Sequence, residues 1–181
     1  NVYLNGTMIG FSKEEIDAVI EAGAEIIMLP YFKTVEEVQK FVYLVNGRAK
    51  TFLLLETPEA AEVLDDILKI SGIDEIHIGL NDMSLGYGMK FMFQLLANGQ
   101  VESWCKRIGV KGISYGFGGI ASLGKGELPA EYIIAEHYRL GSSFAILSRS
   151  FCNADKIDSL DEIEKNFKIL KKVKIQGKWR E

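Results

Sequence analysis

TFLLLETPEAAEVLDDILKISGIDEIHIGLNDMSLG, residues 51–86, is the stretch of sequence that decides the fold. The run Phe52 to Leu55 is wholly apolar, which is typical of a short strand buried on both faces. Thr57 and Pro58 then predict the start of a helix, because they supply an N-cap and a proline at the first helical position. A second short strand, Ile76 to Gly79, follows that helix. The stretch therefore predicts a strand–helix–strand unit with parallel strands.

An acidic residue follows each of the two strands, Glu56 after the first and Asp82 after the second. Sites in α/β proteins are built at the carboxyl ends of parallel strands, so the two carboxylates are expected at the same edge of the sheet. Hard divalent cations prefer oxygen ligands of this kind. The pair predicts a site for Mg²⁺, or for Mn²⁺ or Co²⁺, which similar ligands suit. Taken singly, Glu56 could be an acid beside a helix N-terminus, and Asp82 part of an ordinary Asn-Asp turn.

Similar units are predicted on both sides of this stretch. Strands are expected near residues 1–5, 25–29, 112–115 and 144–147, and residues 116–119 are expected to form a loop. Strand centres near residues 27, 53 and 77 are separated by one helix each, which favours a parallel sheet. At most six strands can be counted, whereas a (β/α)₈ barrel needs eight and usually about 250 residues. The fold is therefore either an open doubly wound sheet or a TIM barrel whose first one or two units are missing from this chain.

Composition restricts the class of protein. The chain has 181 residues and a net charge of −4, and it has no cluster of basic residues before the last dozen positions, so nucleic acid is not an expected partner. No apolar run is long enough to span a bilayer, and a membrane partner is not expected. Cys105 and Cys152 form no metal-binding spacing, which favours a reducing, cytoplasmic location.

The chain is expected to divide at residue 158. Residues 1–158 would form the barrel domain, and residues 159–181 a C-terminal helix with a basic tail. This last helix carries an apolar stripe from Leu160 to Val173, which could pack on a neighbouring subunit of a homo-oligomer.

Four segments of the sequence point to a known family: AGAEIIMLPYFKTVEEV, LLLETPEA, IHIGLNDMSLG and SSFAILSRSF. Together they resemble the HpcH/HpaI aldolase/citrate lyase family of the pyruvate/phosphoenolpyruvate-binding barrel superfamily, over roughly Ile16 to Phe151. The most specific part is a glutamate at the end of one strand, followed one unit later by a G-x-N-D-[LM]-S turn. The resemblance implies a (β/α)₈ barrel that cleaves or forms a carbon–carbon bond through a pyruvate or acyl-CoA enolate and depends on a divalent metal.

The same resemblance assigns roles to individual residues. It implies that Glu56 and Asp82 bind the metal and that Gly79, Asn81, Asp82 and Pro30 lie at the substrate. The family also keeps an arginine beside the metal at the end of an early strand, where this chain has Tyr3 or Leu4. Arg149, after the last predicted strand, is a candidate substitute.

The general base is not specified by the sequence. His77 and His137 are the only histidines, and either could be a core residue instead of a catalytic one. His77 is kept as a catalytic candidate, and a metal-bound hydroxide is the alternative. Gly116 to Gly119 could form a phosphate- or carboxylate-binding loop or a plain flexible loop, and Thr57 is expected to be a helix cap.

Three functions are compatible with these features. The first is a metal-dependent aldolase or lyase that acts on a small 2-oxo acid. The second is a lyase for a CoA thioester of the malyl- or citryl-CoA type, which would need a basic groove for the CoA phosphates. The third is a barrel subunit that binds a metal and a carboxylate without catalysis.

Overall fold

The structure is a computed structural model that describes residues 2–3, 12–120 and 128–147. Strands and helices alternate along these residues. The elements are β1 (Val2–Tyr3), α1 (Lys13–Glu21), β2 (Ile26–Leu29), α2 (Val35–Val45), β3 (Lys50–Leu55), α3 (Pro58–Glu62), α4 (Leu64–Ile67), β4 (Glu75–Ile78), α5 (Leu80–Gly86), α6 (Gln94–Ala97), α7 (Gln100–Val110), β5 (Ser114–Ile120), α8 (Ala130–Arg139) and β6 (Phe144–Leu147).

Within the described residues, the six strands form one parallel sheet whose strand order follows the chain, from β1 to β6. A doubly wound sheet would show a reversal of strand order at a switch point, and this sheet has none. Right-handed crossovers without a reversal place every helix on the same face of the sheet. This arrangement is that of successive units of a (β/α)₈ barrel, so the barrel expectation is confirmed over the open-sheet alternative.

The sheet has two apolar faces, which explains why its strands read as unbroken hydrophobic runs. One face packs against the helices and forms the main core with side chains such as Leu53, Ile76, Phe41 and Ile108. The opposite face forms a smaller cluster of Met28, Phe52 and Leu54, with Ile26 and Phe144 packed against it. This second cluster corresponds to the interior of the barrel.

Polar side chains cap the first turns of several helices. Thr34 and Glu37 form a reciprocal capping box at the start of α2, and Ser12 accepts a hydrogen bond from the Glu15 N–H at the start of α1. The single helix predicted after Thr57 is instead divided into α3 and α4, because the backbone leaves the helical conformation at Val63 (φ −98°, ψ 13°).

The expectation that Gly116 to Gly119 form a loop was wrong, since these residues lie within β5. Gly116 pairs with Phe144, and a Cβ atom at residue 116 would lie 2.2 Å from the Phe144 carbonyl oxygen. The register between β5 and β6 shifts between Gly116 and Gly119, and Gly118 has a positive φ of 58°. The glycines therefore allow a close and irregular strand pairing instead of a flexible loop.

No helix among the described residues is long and apolar enough to cross a membrane. Several predicted features lie outside the described residues: the C-terminal helix in residues 159–181, the domain boundary at residue 158, Arg149 and Leu4.

Candidate active site

Glu56 is the acid that ends β3, and it is held in place by the backbone of the neighbouring strand. Only 4% of the residue is exposed. Its Oε1 atom accepts a hydrogen bond of 3.0 Å from the Tyr31 N–H. Tyr31 follows the buried Pro30 at the end of β2 and has a left-handed backbone (φ 54°), which is uncommon for a residue other than glycine. Sequence reasoning did not identify this contact, because a backbone N–H leaves no signature in the side-chain pattern.

Gly79 makes room for the Glu56 side chain. A Cβ atom at residue 79 would lie 2.8 Å from the Glu56 Cβ and 3.0 Å from its Oε2 atom. The Gly79 N–H donates to the Leu55 carbonyl (2.9 Å), so β3 and β4 remain paired next to the acid. Any larger residue here would push the carboxylate away from its position, which explains the need for glycine.

Asp82 lies on α5, and this corrects the expectation of an Asn-Asp turn. The helix begins at Leu80 after Gly79, which places Asn81 and Asp82 in its first turn, both exposed to solvent. The Asp82 carboxyl group lies close enough to Glu56 to raise the pKa of that residue. The structure therefore brings the two predicted metal ligands together, although one is supplied by a helix instead of a turn.

Close packing between two helix ends fixes the position of α5. A Cβ atom on Gly86, the last residue of α5, would lie 2.5 Å from the Cδ atom of Pro58. Pro58 begins α3 directly after Glu56 and Thr57, so the two helices that flank the acids contact each other. Within α5, the Ser84 hydroxyl donates to the Asn81 carbonyl oxygen (2.7 Å). These contacts hold the first turn of α5 beside Glu56.

The pKa of Glu56 is raised from its ordinary value of 4.5 to about 7. Burial is the largest cause, and the nearby Asp82 carboxyl group raises the pKa further, whereas the hydrogen bond from Tyr31 lowers it. No lysine or arginine of the described residues offsets the effect of burial. A divalent cation would supply the missing positive charge, so the two acids fit the predicted metal site.

Several basic side chains of the described residues form ion pairs with acids at the surface. Lys33 forms an ion pair with Glu59 (2.8 Å). The described arginines pair with other acids: Arg48 with Asp17, Arg107 with Asp65, and Arg139 with Glu136 and Glu102. None of these three arginines therefore occupies the position expected for the family arginine, and Arg149 stays a prediction.

A pocket of about 380 Å³ opens beside the acid pair. Its walls combine side chains from the interior face of the sheet with the first turn of α5 and the segment before α6. The lining residues are Leu54, His77, Gly79, Leu80, Asn81, Asp82, Met92, Phe93, Gly118, Gly119, Leu128 and Ile146. The pocket is thus mainly apolar, with polar groups concentrated at the rim formed by α5, which is typical of a small-molecule site.

The other predicted site residues have separate positions. Pro30 is buried at the end of β2 and is not among the residues that line the pocket. Thr57 is the N-cap of α3, as expected, and its hydroxyl also donates to the Phe32 carbonyl oxygen (2.7 Å). His77 lies in β4 and lines the pocket. His137 lies on α8, where its ring stacks on Phe117 with ring centroids 3.9 Å apart, and it is not a lining residue.

The fold and the site together define a parallel β/α barrel architecture with a pair of acids beside a pocket at the carboxyl ends of the strands. No family model matches the sequence, and no curated protein shows detectable sequence similarity to it. Solved structures, however, share the fold.

The citrate synthase SbnG has 18% sequence identity and a TM-score of 0.63, and the match covers 97% of this chain and 71% of that protein. RipC from Yersinia pestis has 15% identity and a TM-score of 0.66, with 93% and 74% of the two chains covered. An HpcH/HpaI aldolase/citrate lyase family protein from Burkholderia cenocepacia J2315 has 12% identity and a TM-score of 0.66, with coverage of 85% and 70%. The resemblance in the sequence motifs is therefore confirmed for the fold, since structures of that family are among the neighbours.

Proposed function

We propose that this chain forms the metal- and substrate-binding part of a carbon–carbon lyase of the HpcH/HpaI aldolase type. The substrate would be a 2-oxo acid that reacts through a pyruvate-type enolate. One observation carries the proposal. Glu56 is a buried carboxylate without a described cation partner, and it lies beside Asp82, which lines an apolar pocket.

The residues of the pocket suit a chelated 2-oxo acid. Glu56 and Asp82 would hold Mg²⁺, Mn²⁺ or Co²⁺ through their carboxylate oxygens. Two protein ligands leave several positions for water and for a bidentate substrate, which a closed four-ligand site would not. When bound, such an ion supplies a Lewis acid that stabilises the negative charge developing on the substrate oxygens.

The chain itself supplies the remaining interactions. The first N–H groups of α5, from Leu80 to Asp82, have no acceptor within the helix and lie at the rim of the pocket. They would receive the substrate carboxylate. Apolar residues such as Leu54, Phe93 and Ile146 would exclude water from the rest of the substrate, which strengthens the polar interactions at the rim.

The structural neighbours support the chemistry indirectly. An HpcH/HpaI aldolase from Desulfitobacterium hafniense DCB-2 also shares this fold, with 14% identity and a TM-score of 0.61. At such identities the similarity concerns the fold, and the activity is inferred from the pair of acids in their pocket.

The test is exchange of the pyruvate methyl protons with deuterium, followed by NMR in D₂O with Mg²⁺ or Mn²⁺. We expect exchange in the wild-type protein and its loss with EDTA or in the variant Glu56→Gln. The variant Glu59→Gln is a matched control, because Glu59 is exposed, lies one turn further along the chain and pairs with Lys33. Absence of exchange despite demonstrable metal binding would refute a pyruvate enolate.

Two other functions, a CoA-thioester lyase and a non-catalytic barrel, would then remain to be tested. Cleavage of malyl- or citryl-CoA would then support a thioester lyase, and metal binding without either activity would support a non-catalytic barrel. We also propose that the chain forms a homo-oligomer, which light scattering after size-exclusion chromatography would test.

A further inference from the structure

The two carboxylate oxygens of Glu56 face different neighbours in the sheet. Oε1 accepts the hydrogen bond of 3.0 Å from the Tyr31 N–H, after the end of β2. Oε2 is the oxygen that would lie 3.0 Å from a Cβ atom on Gly79, after the end of β4. Asp82 follows Gly79 in the first turn of α5. Oε2 is therefore the oxygen on the side of the strand that leads to Asp82, whereas Oε1 is held from the side of β2.

The hydrogen bond to Oε1 depends on an unusual backbone conformation. Tyr31 has a φ of 54°, which residues other than glycine rarely adopt and which costs free energy for an L-residue. Its side chain is exposed, so the contact to Glu56 is made by the backbone and not by the phenol ring. The strained conformation points the N–H at the buried carboxylate.

The residues on both sides of Tyr31 are anchored, which holds the strained conformation in place. Pro30 and Phe32 are buried, and the Phe32 carbonyl oxygen accepts a hydrogen bond of 2.7 Å from the Thr57 hydroxyl. Because Thr57 directly follows Glu56, two hydrogen bonds join the turn after β2 to the end of β3. Backbone strain that is fixed by its surroundings in this way is concentrated at functional sites.

A carboxylate held by one oxygen presents mainly the other oxygen to an ion. Mg²⁺ requires a nearly ideal octahedron of ligands, whereas Ca²⁺ accepts about 6–8 oxygens and often both oxygens of one carboxylate. A hydrogen bond that occupies Oε1 therefore favours an ion that needs a single oxygen from Glu56.

We propose that Tyr31 is a positioning residue: its left-handed backbone fixes Oε1 of Glu56, so that the divalent ion is bound through Oε2 alone. The site would thereby prefer a small octahedral ion, Mg²⁺ or Mn²⁺, over Ca²⁺. The inference rests on the proposed function, because the pair of acids supplies the ligands that Tyr31 orients.

The test separates the backbone of Tyr31 from its side chain. Tyr31→Val introduces a β-branched residue, which strongly disfavours a positive φ, whereas Tyr31→Asn removes the ring but tolerates that conformation. Affinities for Mn²⁺ and Ca²⁺ are measured by calorimetry on the full chain. We expect Tyr31→Val to bind Mn²⁺ about tenfold more weakly, because the oriented hydrogen bond is lost, and the Ca²⁺ affinity to change much less. Tyr31→Asn should recover most of the Mn²⁺ affinity.

Asn46 provides a matched control. Among the described residues, Tyr31 and Asn46 are the two residues other than glycine with a positive φ, and Asn46 lies at the end of α2, before β3 begins. Asn46→Val imposes a similar backbone strain away from the acids, so it should lower the midpoint of urea denaturation and leave both ion affinities unchanged. Urea denaturation also shows whether each variant is folded. If Tyr31→Val is not, Tyr31→Ala, which disfavours a positive φ less strongly, takes its place in the comparison.

The remaining outcomes distinguish this inference from the proposed function. Equal Mn²⁺ affinities in the wild-type protein and Tyr31→Val would overturn the inference and leave the proposed function intact. Equal losses for Mn²⁺ and Ca²⁺, or an equal loss in Tyr31→Asn or Asn46→Val, would overturn it as well, because the effect would not come from the orientation of Glu56. A wild-type protein that binds neither ion would refute the proposed function itself.

Discussion

The substitution Glu56→Gln should change how the stability of the metal-free protein depends on pH. Burial raises the pKa of Glu56 to about 7, whereas the unfolded chain has a value near 4.5. Between these values the folded protein holds a proton that the unfolded chain has released. The contribution of Glu56 to stability is therefore most favourable below pH 4.5 and is lost as the pH rises through 7.

The expected magnitude follows from the shift. A rise in the pKa of Glu56 from 4.5 to about 7 corresponds to a loss of roughly 3 kcal/mol of folding stability at high pH. Integrated from pH 5 to pH 8, the free energy of unfolding should fall by about 2–3 kcal/mol because of this residue. Glutamine has nearly the same shape, still accepts from the Tyr31 N–H and carries no charge. The difference in stability between wild type and variant should therefore grow by that amount over the same range.

Urea denaturation in EDTA at pH 5 and pH 8 measures this difference. A change of this size should move the midpoint of wild type relative to variant by about 1 M urea. The test uses the difference between the unfolding free energies of the two proteins, because His77 and His137 change stability with pH in the direction opposite to Glu56. Their pKa values are lowered to about 4 by burial, so they withdraw stability as the pH falls below 6.5. This contribution is common to both proteins and cancels.

The variant Glu59→Gln is the control, because its exposed carboxyl group is paired with Lys33 and has a lowered pKa. Its difference from wild type should not change between pH 5 and pH 8. A pH-independent difference for Glu56→Gln as well would refute the reasoning. Such a result would mean that a cation already neutralises Glu56 in the metal-free protein.

Three further results are expected from this structure. The substitution Gly79→Ala should lower Mn²⁺ affinity at least tenfold in calorimetry, because the added Cβ would lie 2.8 Å from the Glu56 Cβ; unchanged affinity would contradict the predicted site. The substitution Thr57→Val should cost about 1–3 kcal/mol in urea denaturation, because the cap and a buried hydrogen bond are lost, whereas Thr57→Ser should cost less. In histidine NMR titrations, neither His77 nor His137 should titrate above pH 5, and a midpoint near 6.5 would show that its ring is not buried.

The sequence predicted the barrel strands and the acid pair because both depend on local patterns. Unbroken apolar runs indicate strands covered on both faces, and an acid directly after such a run must lie at the carboxyl end of the sheet. Glu56 was placed correctly for this reason. The capping residue Thr57 was also recognisable, since a cap satisfies N–H groups only a few residues away.

The features that were missed depend on contacts between distant residues. Gly116 to Gly119 carry almost no side-chain pattern, so their strand is specified by pairing with β4 and β6 and not by their own sequence. The support of Glu56 by the Tyr31 N–H joins residues 25 positions apart through a backbone group. The start of α5 at Leu80 was hidden because Gly79 caps it without a side chain. Tertiary packing decides each of these cases.

The position of Glu56 links ion binding to the stability of this part of the barrel. Three consecutive strand ends build its environment through Tyr31, Glu56 itself and Gly79, so the charge cannot be moved to solvent without disturbing the sheet. The cost of that buried charge near pH 8 is roughly 3 kcal/mol. An ion at about 100 times its dissociation constant stabilises the folded state by about 2.7 kcal/mol, which nearly offsets this cost. The stability difference between pH 5 and pH 8 that Glu56 causes should therefore largely disappear when Mn²⁺ is added at that concentration. It should persist with a monovalent cation of equal ionic strength, because screening acts only weakly on a buried group.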